Sequence, residues 1–526
     1  MNEIVGTVSR RTFLKATGAL GGGIVAAGMP LGQSIWAAEG KVLRVRAASD
    51  LGNLDPGSYG TSSFEVMSCV YSKLIRYNPG SEWSWELEAA EQVQQVDPTH
   101  IRFRLKKGIR FTGGYGELRS KDVKFSFERI IRLKLAQTYD MGSFDHVELE
   151  DDYTGVIVFK TPFAAAWTLM LPYGVGHIVS EDAVMKATKD GGPIGMTPTA
   201  FSGPYMLADW KANQYALLTR NPEWSGPKPG FDEIRIVPIS DTKVAERAYQ
   251  AGDTDFTPIS VDSLAAFKKD PPADTNVEAK PSLDYTYISM NSDHPKLKDI
   301  NVRKAIQWAI NVPQVLEAAY SGQVEVATGI AAKGLIGYRD KALVPPVGDL
   351  AKAKDFLDKA GVDGLTLTLD CMNSTPFTTI AQVVQAQLSQ IGITVEVNIH
   401  DSSEFYTLGM QSAGARWKDL QLVVQHFTMV PEPFYFSAAY TRDQIGIWNW
   451  ERFSSKRYDE LNAIAITVND PDERSKLYRE MQDLLEESGA FRFLTNGVNP
   501  FMYRTTRMQA ATDPQGKPLY IGFKPV

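Results

Sequence analysis

Apolar and polar positions alternate from Lys41 to Arg46 and again across Ile101, Phe103 and Leu105, where Lys106-Lys107-Gly108 stops the run. A period of two predicts half-buried strands. Between them, Gly52-Asn53-Leu54-Asp55-Pro56-Gly57 reads as a turn-rich loop. Ser120-Lys121-Asp122-Val123 opens a helix that runs to Arg132, and Gly155 to Phe159 is a further strand. Gly191, Gly192, Pro193, Gly195, Pro198, Gly203 and Pro204 punctuate residues 185–204, a stretch suited to a hinge or a crossing between lobes. Asp241 to Gly252 reads as a helix with Val244 and Ala248 inward and Gly252 closing it.

From Asn301 the pattern turns to alternating helix and strand. Val302, Ala305, Ile306, Ala309 and Ile310 share one helical face, and a second helix ends at Gly322. A helix over 351–360 stops at Gly361, and the strand Leu365 to Leu369 follows. Ile380, Val383, Val384, Leu388 and Ile391 form a helical stripe ended by Gly392, after which Ile393, Val395, Val397 and Ile399 alternate. Asp470-Pro471-Asp472-Glu473 supplies an N-cap, a first-turn proline and a capping acid for a helix with Leu477, Met481, Leu484 and Leu485 inward.

The N-terminus has a different plan. Ser9-Arg10-Arg11-Thr12-Phe13-Leu14-Lys15 precedes a small, weakly apolar stretch from Ala16 to Gly32 and then Ser34-Ile35-Trp36-Ala37-Ala38. That order is the plan of a secretory signal, and the arginine pair resembles the twin-arginine export motif. Residues 1–38 are expected to be a signal peptide cleaved near Ala37 or Ala38, leaving a periplasmic protein. No Cys follows the apolar run, so a lipid anchor is not expected.

Length and charge narrow the classes. At 526 residues, 43% hydrophobic and 22% charged, the chain has globular composition and room for several domain-sized units. A net charge of −7 leaves no basic excess for phosphates, so nucleic acid is not expected as a partner. Cys69 and Cys371 cannot build a disulfide framework. The six histidines are scattered without ligand spacing, there is no G-x-S-x-G elbow or P-loop, and Gly113-Gly114-Tyr115-Gly116 lacks the strand–helix setting of a dinucleotide site. No catalytic set, metal site or cofactor is read from the chain, which favours binding over catalysis. The aromatic segment is more telling. His426, Phe427, Phe434, Tyr435, Phe436, Tyr440, Trp448 and Trp450 are interleaved with Glu432, Arg442, Asp443 and Asn449, and Pro431 and Pro433 forbid a regular element. Apolar walls with a few polar groups are the make-up of a small-molecule pocket.

Several motifs in order resemble the large solute-binding proteins of bacterial ATP-driven importers, the family of dipeptide, oligopeptide and nickel binders. They are the run from Phe103 to Gly114 continuing into Ser120 to Arg129, Ser202-Gly203-Pro204-Tyr205, Arg220-Asn221-Pro222-Glu223-Trp224, Ala251-Gly252-Asp253-Thr254-Asp255, and Asn301 to Ile306. The resemblance implies a two-lobed α/β periplasmic-binding-protein fold with an additional domain and a ligand cleft between lobes. It divides the chain into 39–283 (with the extra domain at about 61–200), 284–494, and a return over 495–526. It also implies a monomer that hands a solute to a membrane permease and catalyses nothing.

Within that family, peptide binders place an Asp three residues before an acid–Pro dipeptide, where it pairs with the ligand's α-ammonium. Here the dipeptide is Glu432-Pro433 and that position is Met429; Phe434 stands where nickel binders have His, and Met372 to Pro376 lacks the Arg of dipeptide binders. A peptide-like or other polar organic solute is expected, with opines, oligosaccharides and metal chelates open, and a periplasmic hydrolase as the alternative from another class. The residues expected to face the cleft are Tyr59, Phe427, Met429, Glu432, Trp448, Asn449 and Trp450. Tyr59 enters because the loop after Leu54-Asp55-Pro56 lies beside the ligand in relatives. Glu432 needs a donor, from the ligand or from an arginine such as Arg442.

Overall fold

A computed structural model describes residues 41–196 and 200–526. The signal peptide expected over 1–38 lies outside the described residues. Strand Val42–Ala47 forms where the alternation predicts it, and lies inside a seven-stranded sheet. Its order is Tyr205–Lys211, Tyr215–Arg220, Glu233–Pro238, Val42–Ala47, Phe256–Pro258, Val498–Arg504 and Thr275–Pro281. Val42–Ala47 runs parallel to Glu233–Pro238, while Val498–Arg504 is antiparallel to both its neighbours. Leu43, Val45, Ile234, Ile236, Phe256 and Phe501 fill this lobe's core, and the helix Thr61–Val70 adds Val66, Met67 and Val70 to it.

The second lobe is built on five strands, in the order Thr394–His400, Thr366–Met372, Leu422–Phe427, Tyr285–Met290 and Phe491–Thr495. Its helices follow the predicted stripes: Ile300–Ala309, Val312–Tyr320, Leu350–Ala360 and Thr375–Ser389 bury Val302, Ile306, Val315, Leu357, Ile380 and Leu388 against the sheet. Gly361 closes its helix at φ +63°, a left-handed turn that only glycine adopts without strain. Between the first two strands of the seven-stranded sheet in chain order lies a third structure. It is a four-stranded antiparallel sheet, Ala90–Asp97, His100–Leu105, Thr154–Phe159 and Phe144–Leu149, packed on the helix Ser120–Arg132 with its own core.

The backbone passes from the seven-stranded sheet to the five-stranded one through Ser282 to Asp284, and returns through Asn496 and Gly497. These two links touch, with the Ser282 amide donating to the Gly497 carbonyl at 3.2 Å. The whole of Lys41–Val526 forms one compact unit. Among the described residues no helix is long and apolar enough to cross a membrane.

Two sequence readings differ from the structure. The helix Thr242–Ala251 turns Ala245, Glu246 and Tyr249 inward and leaves Val244 exposed. Glu246 is buried because its carboxylate accepts from the Ser260 amide and hydroxyl and from the Ser263 hydroxyl, which an apolar-stripe reading does not foresee. The Gly/Pro-rich stretch does not carry a crossing between the two large sheets; it precedes the strand Tyr205–Lys211 of the seven-stranded sheet. Arg129 donates to the carbonyls of Gly191 and Gly192, and Asp55 accepts from the Ile194 amide.

Candidate functional site

The strand Leu422–Phe427 emerges from the five-stranded sheet, and Pro431 and Pro433 then prevent the chain from continuing as ladder. It folds into the short helix Pro433–Ser437 and the tight turns Ala438–Tyr440 and Arg442–Gln444. Facing this segment is the turn Ala136–Met141, which follows the helix Ser120–Arg132 of the inserted domain. Between them is a cavity of about 910 Å³. Gln137, Tyr139 and Asp140 line it from the inserted domain; Tyr285, Phe427, Met429, Phe434, Tyr435, Arg442, Asp443 and Trp448 line it from the second lobe.

The largest side chains of the walls are aromatic. Tyr139 stacks on Phe434 with ring centres 5.4 Å apart and planes 14° from parallel, and meets Tyr435 edge-on at 6.0 Å. Phe427 lies between Tyr285, at 5.7 Å, and the edge of Trp448, at 6.3 Å. Such offset and edge contacts fix ring orientation and so define the cavity's shape. Behind Tyr285 runs a buried hydroxyl chain. The Tyr285 and Tyr440 hydroxyls are 2.8 Å apart, Tyr440 and Tyr287 are 3.0 Å apart, and the Tyr287 hydroxyl donates to Glu451 at 2.8 Å. Burial pushes the fully enclosed Glu451 carboxyl up to about 7.

The charged lining groups differ in how they are satisfied. Arg442 is paired with Asp459, and Asp443 accepts from the Thr441 hydroxyl at 2.5 Å. Asp140 is 6% exposed and makes no hydrogen bond or ion pair among the described residues. Desolvation pushes its carboxyl up to about 7. Burial raises the phenols of Tyr59, Tyr139 and Tyr435, and the nearby Asp140 charge raises each further. Among the described residues no group of three or more His, Cys, Asp or Glu side chains is placed to share a metal ion.

Of the residues singled out from sequence, Phe427, Met429 and Trp448 line the cavity. Tyr59 is half-buried and packs its ring on Phe64 at 6.1 Å; it senses the Asp140 charge without forming part of the lining. Three others are structural. Glu432 is fully buried away from the cavity, caps the helix Pro433–Ser437 through the Phe434 amide, and is held by Arg474 at 2.6 Å and by the Thr168 hydroxyl. Its partner is thus Arg474 and not Arg442. Asn449 is fully buried, its amide donating to the carbonyls of Tyr440, Thr441 and Phe453 while its oxygen accepts from the Phe453 amide. Trp450 packs into a small core with Phe405, Leu408, Leu420 and Val423, and Gly409 lies so close to its indole that a Cβ there would sit 2.1 Å from the ring. The placements of Asn449 and Trp450 share a cause: they lie in a run of turns, where side-chain direction is set by local hydrogen bonds and not by a period.

Tyr139 and Asp140 were not legible. They lie in a turn of the inserted domain, far in sequence from the aromatic segment, and an isolated Tyr-Asp pair after a helix carries no periodic signal.

Comparison with known proteins agrees with this architecture. Residues 85–446 match the model described as bacterial extracellular solute-binding proteins, family 5 Middle. The glutathione-binding protein GsiB of Salmonella paratyphi A is 28% identical over 456 residues, covering 84% of this chain and 86% of its own. The probable D,D-dipeptide-binding periplasmic protein DdpA of Escherichia coli is 25% identical over 465 residues, covering 86% of this chain and 88% of its own. The crystal structure of the ABC transporter substrate binding protein CtaP from Listeria monocytogenes superimposes with a TM-score of 0.81 at 19% identity, over 92% of this chain and 99% of that one. The chain belongs to family 5 of the bacterial extracellular solute-binding proteins, the binding components of ABC importers.

Proposed function

We propose that this binding protein captures a peptide-like or other polar organic solute in the cavity bounded by Tyr139, Asp140, Phe427, Met429, Phe434, Tyr435 and Trp448, and delivers it unchanged to a membrane permease. The observation that carries this reading is the cavity itself. About 910 Å³ of space, walled by aromatic rings with a few charged groups, suits a small organic solute and lies where the inserted domain meets the second lobe. Relatives named for glutathione and for D,D-dipeptides support the peptide-like character. The same reading assigns 39–283 and 495–526 to one lobe and 284–494 to the other, with the inserted domain within about 61–200 and closure about the two adjacent links. The protein acts as a monomer in the periplasm, exported through its arginine pair.

Native mass spectrometry of the purified protein tests the first claim by the mass of a co-purified small molecule. Trp448→Ala and Phe427→Ala are expected to weaken binding of that molecule in calorimetry while leaving the fold intact. Unchanged affinity in both variants would remove the cavity from the reading. For export, Arg10 and Arg11 replaced together by Lys should leave the precursor in the cytoplasm; unchanged processing would replace the twin-arginine route with the general secretory one.

A further inference from the structure

Asp140 is an anomaly for a binding protein at rest. A carboxylate taken out of water normally finds an arginine, a lysine or a set of amides, because the desolvation cost is several kcal/mol when nothing replaces the lost water. Three other buried acids obey that rule, Asp55 held by Arg129, Glu432 by Arg474 and Glu486 by Arg339, and Glu246 and Glu451 are met by hydroxyl donors. Asp140, 94% buried by its 6% exposure, has no such partner and lines the cavity. The other lining acids are already engaged, Asp459 by Arg442 and Asp443 by Thr441. The groups that sense the Asp140 charge are the phenols of Tyr59, Tyr139 and Tyr435, which are neutral at physiological pH; of these, Tyr139 and Tyr435 line the cavity beside Asp140.

Resting on the solute-binding reading above, we propose that Asp140 receives a protonated nitrogen of the solute, beside the lining rings of Tyr139 and Tyr435. A carboxylate beside aromatic faces satisfies such a group twice, by a charge-assisted hydrogen bond and by cation–π attraction. The lining acids outnumber the single lining arginine, Arg442, so the field of the cavity also favours a cation. The solute class is therefore an amine- or guanidine-bearing molecule, such as a peptide with a free amino terminus or a polyamine. Because burial holds the empty Asp140 carboxyl near 7, arrival of a cation expels its proton, and binding at pH 6 releases protons to the buffer.

The test uses two pairs of probes with matched skeletons: tri-alanine against N-acetyl-tri-alanine, and spermidine against its triacetylated form. Calorimetry on the wild-type protein should show the member with the free protonated amine, in at least one pair, binding tenfold or more tighter than its acetylated twin. Asp140→Asn, close to isosteric, should bring the two within about threefold and abolish the buffer-dependent proton release at pH 6. Trp448→Ala should weaken both members of the pair alike. Failure of both amine-bearing probes to bind wild-type protein, or an unchanged amine preference in Asp140→Asn, would overturn the assignment. If affinities fall in Trp448→Ala while the preference survives in Asp140→Asn, only the cation site is lost. If Trp448→Ala and Phe427→Ala change nothing, the cavity reading fails with it.

Discussion

Two buried carboxylates respond to pH in opposite senses. Asp55 sits in the loop after the first strand. Burial alone would raise its carboxyl, yet two bonds from Arg129 and the amides of Ile194 and Gly57 outweigh burial and hold it below the usual range. The stability it supplies is present above the unfolded-state value of roughly 3.9 and is lost as pH falls through the lower folded value. Asp55→Asn leaves Arg129 buried without its anion, a change that costs about 3–5 kcal/mol in comparable sites. Thermal unfolding at pH 7 should show that loss, and the variant's deficit should shrink in strong acid. Glu451 behaves the other way, since burial lifts its carboxyl to about 7. Folding is opposed increasingly as pH rises from about 4.3 to about 7, because the unfolded chain gives up the proton first. Glu451→Gln removes that opposition. Its stability relative to wild type should therefore be greater at pH 8 than at pH 5, and equal differences at both would place the proton elsewhere.

At the scale of elements, legibility follows the regularity of the backbone. The helix Pro471–Glu487 was readable to the residue at its start because capping is local: the Asp470 carboxylate accepts from the Glu473 amide at 2.8 Å. Asp470→Ala should cost about 1 kcal/mol, measured by urea unfolding with the slope unchanged. Its inner face was read only in part. Met481 and Leu485 are buried as the stripe predicts, but Arg474, Tyr478 and Gln482 share that face because each has a polar partner there. The aromatic segment was recognisable as irregular from its prolines, and Phe427, Met429 and Trp448 reach the cavity. Which rings turn inward was not recoverable, because Trp450 and Asn449 are oriented by turn hydrogen bonds and by the approach of Gly409, none of which leaves a period in the sequence. The inserted domain's side of the cavity was invisible for a simpler reason. Asp140 meets Tyr435 only once the inserted domain has folded and docked.

That docking governs the whole molecule's behaviour as a carrier. The inserted domain touches the second lobe at the Tyr139–Phe434 stack, at the Thr168–Glu432 hydrogen bond, and where the Ala164 amide donates to the Ile466 carbonyl at 2.9 Å. The covalent constraint between the seven-stranded and five-stranded sheets is the pair of links at Ser282–Asp284 and Asn496–Gly497. On the proposed reading, a solute enclosed in the cavity leaves when the contacts part, with the links as the axis of that motion. Of the three contacts, the ring stack belongs to the cavity lining and can be removed without exposing a buried charge, whereas loss of Glu432 would strand Arg474. A stacked aromatic pair is worth about 0.5–1.5 kcal/mol beyond its area. Tyr139→Ala should therefore speed solute dissociation by roughly two- to tenfold. Association, set by encounter with the open form, should change little. Stopped-flow tryptophan fluorescence with the co-purified solute separates the two rates. A slower association at constant dissociation would mean that Tyr139 guides entry and does not hold the cavity shut.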